Sequence, residues 1–177
     1  ARAVVLEFSD PGNPSVDVGG GASSLVDHLL EARRGPVTVV DIAQAALDQS
    51  RQRLGAGAAA VEWVAADVTE WSPTRRFGLW HDRALLHFLT EPEAVAAYAD
   101  VARRAVSPGG HAVIATFADD GPTECSGRTV RRYDESALAA VFSNGFCVVR
   151  DERVVHATPW GSEQRFVRLV LRRDEGS

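Results

Sequence analysis

VDVGGGASS, residues 16–24, is a short apolar segment that ends near a carboxylate and then turns through three glycines. Leu25 and Leu29 follow at helical spacing, which predicts a helix directly after the turn. Glycine adopts backbone torsions, and allows a close approach, that a side chain would block. The first amides of the helix would point toward a ligand at the turn. The segment therefore predicts a cofactor site at the end of the first strand.

Asp17 decides between two kinds of cofactor. A dinucleotide fingerprint reads G-x-G-x-x-G and places a pyrophosphate at the start of the helix. In this chain Ser24 stands at the third glycine, and the Asp17 carboxylate would repel phosphate. The carboxylate instead suits a ligand with a cationic amino group, and S-adenosylmethionine (SAM), with its ammonium and sulfonium, is such a ligand.

The D-x-G-x-G turn resembles motif I of the class I SAM-dependent methyltransferases, and two later features follow in the order of that family. A predicted strand over 37–40 ends at Asp41, and a predicted strand over 61–65 is followed by Asp67. The resemblance implies that Asp41 accepts the ribose hydroxyls and that Asp67 receives the adenine amino group. The residues assigned to the SAM site are Asp17, Gly19, Gly20, Gly21, Asp41, Ile42, Asp67, Val68 and His81.

Each of these features also has a purely structural interpretation. Glycines after a strand can form an ordinary tight turn. Asp41 can serve as the N-cap of the helix that begins near Ala43, and Asp67 can be a solvated loop residue. The three acidic strand ends together favour the cofactor site.

Length and composition limit the remaining possibilities. A chain of 177 residues that is 45% hydrophobic can bury one substantial α/β core, which predicts a single SAM-binding domain over residues 1–177. The net charge is −5, and basic residues occur in pairs rather than clusters, which argues against a nucleic acid partner. No apolar segment reaches the roughly 18 residues of a membrane span. The N-terminus lacks the pattern of a signal peptide, so we expect a cytoplasmic protein.

The two cysteines form neither a metal-ligand spacing nor a disulfide framework, so no metal site is expected. Cys147 lies in an apolar run and is predicted to be a buried strand residue. The segment 1–8 is interpreted as the end of a lid helix, because members of the family usually carry helices ahead of motif I. Part of such a lid can be missing from this chain. The oligomeric state stays open.

The rest of the chain alternates strands and helices, as an α/β doubly wound sheet requires. The predicted helices cover 23–33, 43–54 and 135–142, and a fourth opens at a capping box over 90–93 that contains Pro92. The later predicted strands cover 77–80, 111–117, 146–155 and 164–172, the last two forming a hairpin. The resemblance implies a Rossmann-like, seven-stranded, mostly parallel sheet of order 3-2-1-4-5-7-6 with an antiparallel last strand.

The segment after the fourth predicted strand is expected to carry the chemistry, because ligands of such sheets bind at the carboxyl ends of the strands. It reads WHDRALLHFLTEP, and its candidate catalytic residues are His81, Asp82, Arg83 and His87. The resemblance places His81 or Asp82 near the methyl group, where either could orient or deprotonate an acceptor. The structural alternatives are an Asp82–Arg83 ion pair and a packed His87.

A second segment, residues 116–127 and then 131–133, follows the fifth predicted strand and is expected to cover an acceptor; the alternative is an ordinary surface loop. Arg128, Arg131 or Tyr133 could reach an anionic or polar group there, and His156 and Trp160 could close one side of the cleft. The predicted reaction is direct methyl transfer to an oxygen, sulfur or nitrogen atom of a small-molecule acceptor. The alternatives are a protein lysine methyltransferase and a catalytically silent SAM-binding protein.

Overall fold

The computed structural model describes residues 2–157 and 163–176. Its strands are β1 (Ser15–Val18), β2 (Val37–Asp41), β3 (Val61–Ala65), β4 (Phe77–Arg83), β5 (Val106–Phe117), β6 (Glu124–Cys125), β7 (Arg128–Thr129), β8 (Phe146–Ala157) and β9 (Glu163–Arg173). Its α-helices are α1 (Arg2–Phe8), α2 (Leu25–Glu31), α3 (Gln44–Leu54), α4 (Pro92–Ala105) and α5 (Glu135–Val141). Short 3₁₀ helices cover Gly55–Ala60 and Leu86–Phe88. None of the helices in these residues is long and apolar enough to cross a membrane.

Seven strands form one sheet in the order β3-β2-β1-β4-β5-β9-β8, while β6 and β7 form a separate ribbon. The first five strands of this sheet are parallel, and β9 runs antiparallel to both β5 and β8. Because β8 and β9 are its sixth and seventh strands along the chain, the predicted order 3-2-1-4-5-7-6 is confirmed. The strand order changes direction between β1 and β4, and ligands bind at such a switch point in open α/β sheets.

Both faces of the sheet are covered. Helices α4 and α5 pack on one face around Trp80 and Tyr98, whereas α1, α2 and α3 pack on the other around Val39 and Leu79. Side chains alternate along a strand, so consecutive residues of β4 belong to opposite layers. Trp80 and Asp82 therefore face α4, while His81 and Arg83 face the layer of α1 and α2.

Several local predictions differ from the structure. Strand β5 begins at Val106 rather than at His111, since Val106 already pairs with Phe77. Helix α2 covers only Leu25–Glu31 of the predicted 23–33. Strand β4 continues to Arg83 rather than ending at Trp80, because the polar residues at its end pair with β1 and β5. Pro92 is the first residue of α4, as predicted, but the capping box does not form, since Glu91 is the N-cap and its side chain makes no capping bond. Cys147 is exposed rather than buried, because β8 is the edge strand of the sheet.

Candidate functional site

The turn after β1 is built around a buried carboxylate. Asp17 is only 2% exposed, although it lies one residue before the end of β1. A Cβ atom on Gly20 would stand 2.5 Å from Asp17 Oδ2, so only glycine allows the turn to pass over this carboxylate. Gly19 has φ of +67°, a left-handed conformation that glycine adopts without strain. The glycines thus let the backbone wrap around Asp17.

Asp17 is paired with His81 across two neighbouring strands. The two residues are direct register partners in the parallel β1–β4 pair, and Asp17 Oδ1 lies 2.7 Å from His81 Nδ1. Because an ionised carboxylate can only accept a hydrogen bond, Nδ1 carries the hydrogen, and in the neutral ring Nε2 then has the free lone pair. The pair leaves two buried atoms, Asp17 Oδ2 and His81 Nε2, without a hydrogen-bond partner among the described residues. Unpaired buried polar atoms are costly, and these two lie in residues that line a cavity, so both are available to a ligand.

Two adjoining cavities open at the carboxyl ends of β1, β2, β3 and β4. The polar cavity has a volume of about 540 Å³, and its wall includes Asp17, His81, Arg83, Phe117 and Phe166. The apolar cavity has a volume of about 590 Å³, and its wall includes Asp41, Ile42, Asp67, Val68 and Leu85. Both are lined by Gly19 and Ala84, so the two cavities meet beside the glycine turn.

Asp41 connects the apolar cavity to the glycine turn. Its Oδ2 accepts a hydrogen bond from Gly21 N at 2.9 Å, and its Oδ1 accepts one from Ala43 N at 2.8 Å. The second bond agrees with the structural interpretation of Asp41 as a residue that orders the start of α3. Two carboxylate oxygens offer about four acceptor positions, so each can still accept a bond from a ligand hydroxyl.

The other wall of the apolar cavity suits a flat, apolar ring that carries a donor. Ile42 is 73% exposed although it is a large aliphatic residue, and it lines this cavity together with Val68 and Leu85. Asp67 Oδ1 accepts bonds from the amide and hydroxyl of Thr69, at 2.9 and 2.7 Å. These bonds fix the carboxylate at the cavity edge and leave Oδ2 as a possible acceptor.

Asp82 is buried on the opposite face of β4 and lines neither cavity. Its carboxylate accepts bonds from Leu85 N at 2.9 Å, from Leu86 N at 3.1 Å and from the Tyr98 hydroxyl at 2.6 Å. Burial raises the pKa of Asp82 to about 6, although the hydrogen bonds from Tyr98 and Leu85 lower it. The Trp80 indole has the polar partner that it needs, since Nε1 donates to the Tyr98 oxygen at 3.0 Å. This network fixes the turn after β4, and its geometry suits a positioning role rather than contact with a ligand.

His87 is buried in an aromatic environment and also lines neither cavity. Its ring stacks on Phe117 with centroids 4.4 Å apart and meets Phe88 edge-on at 4.6 Å. Neither ring nitrogen has a partner among the described residues. Burial lowers the pKa of His87 to about 4, so the ring is neutral near pH 7. This agrees with the packed histidine of the structural alternative.

His87 is expected to make the protein sensitive to acid. Below pH 6.5 the unfolded chain gains a proton at His87 that the folded chain does not gain until about pH 4. The stability present above pH 6.5 is therefore lost as the pH falls, by about 3 kcal/mol in total. His87→Phe keeps the ring stack and removes the titration, so its free energy of unfolding should fall less between pH 7 and pH 4.5 in denaturant titrations. Equal losses in the two proteins would contradict the prediction.

The segment after β5 contributes residues to both cavities. Cys125 lines the polar cavity, whereas Ser126 and Arg128 line the apolar one. Arg131 and Tyr133 line neither cavity, and the Arg131 guanidinium lies over the Tyr133 ring at 5.2 Å. His156 lines a smaller neighbouring cavity of about 120 Å³, and Trp160 lies outside the described residues.

Several wall residues carry no sequence signal that would identify them. The residues of the polar cavity that the sequence did not indicate individually include Arg2, His28, Ala84, Phe117 and Phe166. Phe166 reaches the cavity because β9 pairs with β5, where it stands opposite Phe117. Of the three glycines, only Gly19 lines a cavity, while Gly20 and Gly21 support the turn. Among the described residues, no group of three or more His, Cys, Asp or Glu side chains could hold a metal ion.

The site fits SAM on its own geometry. The unpartnered Asp17 Oδ2 suits an ammonium group, and the two oxygens of Asp41 suit vicinal hydroxyls. The apolar wall beside Asp67 suits an adenine ring with an exocyclic amine. A ligand that joins these three positions passes Gly19, where the two cavities meet.

Several solved structures share this fold. One is the 1,6-didemethyltoxoflavin-N1-methyltransferase of Burkholderia thailandensis, solved with 1,6-didemethyltoxoflavin and S-adenosylhomocysteine (SAH). It is 24% identical to this chain with a TM-score of 0.79, and the match covers 98% of this chain and 76% of that chain. The N-methyltransferase NodS of Bradyrhizobium japonicum WM9, solved with SAH, is 18% identical with a TM-score of 0.79, over 97% and 85% of the two chains. The glycopeptide N-methyltransferase MtfA, in complex with SAM, is 14% identical with a TM-score of 0.75, over 96% and 91%.

Sequence comparison gives the family directly. A model of a methyltransferase domain matches residues 16–110, which is more than half of the chain and includes β1 through α4. No curated protein matches the chain. The matched region contains the glycine turn, the carboxylates of the apolar cavity and the Asp17–His81 pair. The chain therefore belongs to the class I SAM-dependent methyltransferases.

Proposed function

We propose that this enzyme transfers the methyl group of SAM to a small-molecule acceptor held in the polar cavity, and that residues 1–177 act as one domain. The observation that carries the proposal is the buried Nε2 of His81, which has no partner in a cavity of about 540 Å³. This volume lies within the range of small-molecule sites. The relative named for 1,6-didemethyltoxoflavin offers a precedent for an acceptor of that size.

We assign the binding of SAM to both cavities. Asp17 Oδ2 accepts a bond from the ammonium, Asp41 accepts bonds from the ribose hydroxyls, and Asp67 accepts one from the adenine amine. Ile42 and Val68 contact the base, while Gly20 and Gly21 keep the turn close to Asp17. Bound SAM supplies an electrophilic methyl on a sulfonium, whose sulfur leaves as a neutral thioether and needs no acid.

We assign the role of general base to His81. Its Nδ1–H donates to Asp17, which fixes the ring and directs the lone pair of Nε2 to the proton of an acceptor. The Phe117 and Phe166 rings, with centroids 4.8 Å apart, exclude water from this side. Asp82 keeps the end of β4 in place through the bonds to Leu85 and Leu86, and thus acts as a positioning residue.

The lining of the polar cavity argues against a lysine side chain as the acceptor. A groove for a cationic lysine would be acidic, yet Asp17 is the one acidic residue among the described residues that line this cavity, and it is already paired with His81. A silent binding protein would not need a buried base without a partner beside Asp17. The cavity therefore favours an enzyme that methylates a small molecule.

The acceptor class can be tested with methyl-labelled SAM and a cell extract, followed by separation of small molecules from protein. We expect the label in the small-molecule fraction, and none with Asp17→Asn, which lacks the proposed ammonium contact. Label on lysine side chains of extract proteins would support a lysine methyltransferase. Binding of SAM without any labelled product would support a silent protein. Either of these two results would overturn the proposal.

Asp41→Ala should weaken SAM binding because it removes the proposed ribose acceptor and the bond that holds Gly21 N. We expect a loss of about 1.5 to 3 kcal/mol in the free energy of binding, measured by calorimetry, which is typical of a hydrogen bond to a charged group. Asp48→Ala is a matched control, because Asp48 is an exposed carboxylate on α3 that lines neither cavity. Equal affinities of the two variants would exclude the ribose contact.

A further inference from the structure

The polar cavity has a charge opposite to that of the whole protein. The chain carries a net charge of −5. In contrast, the described residues that line the polar cavity include two arginines, Arg2 and Arg83, and the single carboxylate of Asp17. The Asp17 carboxylate offsets one of the two arginines, which leaves the lining with a formal charge of +1. Arg2 lies 4.0 Å from Glu31, so Arg83 is the arginine of this lining without a carboxylate partner among the described residues. The cavity therefore attracts an anion rather than a cation.

Arg83 is the arginine that lies nearest to the proposed base along the chain. It is two residues after His81 on β4, so both side chains project from the same face, with Cα atoms about 6.6 Å apart for a strand. The Arg83 guanidinium makes no hydrogen bond or ion pair with any described residue. Arg168, which lines the small cavity beside Arg83, is paired with Glu152 at 2.7 Å. Arg83 is thus available to a ligand and Arg168 is not.

The polar cavity also has aromatic and aliphatic side chains in its lining. Phe117, Phe166 and Leu25 line the polar cavity, and Phe166 is only 5% exposed. An acceptor that fills this cavity would bury an apolar body against these side chains. Arg83 itself is exposed, and an apolar body packed on these side chains would remove water from the pair that its anionic group forms with the guanidinium.

We propose that the methyl acceptor is a small organic acid whose apolar body packs on Phe117 and Phe166 and whose anionic group pairs with Arg83. This inference rests on the proposed small-molecule methyl transfer and adds the chemical class of the acceptor. Arg83 is then the residue that determines specificity, because its guanidinium can bind a carboxylate through two parallel hydrogen bonds. His81, two residues before Arg83 on β4, acts on the nucleophile of the same molecule.

The test uses acids and their amides as probes of equal shape. Phenylacetate and 3-phenylpropionate are each compared with their neutral amides by calorimetric titration of the full chain saturated with SAH. We expect each acid to bind about tenfold more tightly than its amide. Arg83→Gln should remove that preference, and Arg83→Lys should keep part of it, since lysine retains the charge but not the two-bond geometry.

Arg76→Gln is the matched control, because Arg76 is an exposed arginine just before β4, at the opposite end of the strand. It should keep the preference for acids. SAH affinity should be unchanged in every variant, which shows that each protein is folded. The proposal is overturned if the acids do not bind, if acids and amides bind equally, or if the preference survives in Arg83→Gln. A labelled small-molecule product together with any of these results would leave methyl transfer intact and remove only the acidic acceptor.

Discussion

Replacing Asp17 by asparagine is expected to weaken SAM binding by about 100-fold, or about 3 kcal/mol, because one carboxylate serves two partners. Its Oδ1 binds His81 Nδ1, and its Oδ2 is buried and free for the ammonium. The asparagine has one oxygen and one amide nitrogen. If the oxygen faces His81, the amide N–H groups face the ammonium and repel it. If the nitrogen faces His81, it forces the other tautomer and removes the lone pair from Nε2.

Calorimetry with SAM and SAH measures this effect directly. The stability of the ligand-free protein is a useful control, since the substitution removes a buried charge that has one unpartnered oxygen. We expect the free energy of unfolding of the ligand-free variant to equal or exceed that of the wild type. A variant that is less stable and binds normally would show that Asp17 has only a structural role.

Replacing His81 by asparagine should lower kcat by about 100-fold or more while the affinity for SAM changes little. Without a base, the acceptor must lose its proton to the solvent, so the deficit should be greatest at low pH and shrink as the pH rises. The measurement is a pH profile of kcat with the acceptor found in the labelling experiment. Loss of affinity for SAM without loss of kcat would contradict the assignment.

His111→Asn is the matched control for this substitution. His111 lies in β5, lines neither cavity and packs against Phe8, with ring centroids 4.9 Å apart. We expect its kcat and pH profile to match those of the wild type. An identical pH profile for His81→Asn would remove His81 from proton transfer and leave it as a residue that only orients Asp17.

The sequence predicted the sheet well because its strands are apolar and end at glycines or carboxylates. The bounds of β3 match the predicted 61–65, and the strand order is confirmed. The prediction was wrong at the end of β4, where His81, Asp82 and Arg83 read as a polar loop. Burial of these polar residues depends on partners that are distant along the chain, such as Asp17 and Tyr98.

The candidate site was predicted only in part for the same reason. Asp17, Asp41 and Asp67 could be predicted because each lies at or just after the end of its own strand, a position that the local sequence reveals. All three line the cavities. The aromatic wall depends on β9 inserting beside β5, which no local pattern near Phe166 reveals. Asp82 and His87 lie near the site along the chain but point into the core, because side chains alternate along β4 and the turn after it is buried.

Asp17 and His81 are register partners in the β1–β4 pair, so the pair could be transferred to another protein that has two such strands. Two adjacent parallel strands form the pair, and the glycine turn passes over Asp17. We therefore expect that installing the pair in another doubly wound sheet would take substitutions at the two matching register positions and a glycine at the position of Gly20. A shift of β4 by one residue relative to β1 would move the imidazole to the face of the sheet that packs on α4. It would place Asp82 or Trp80 on the face that Asp17 shares with the polar cavity. The proposed base of this enzyme is thus positioned by the hydrogen-bond register of β1 and β4.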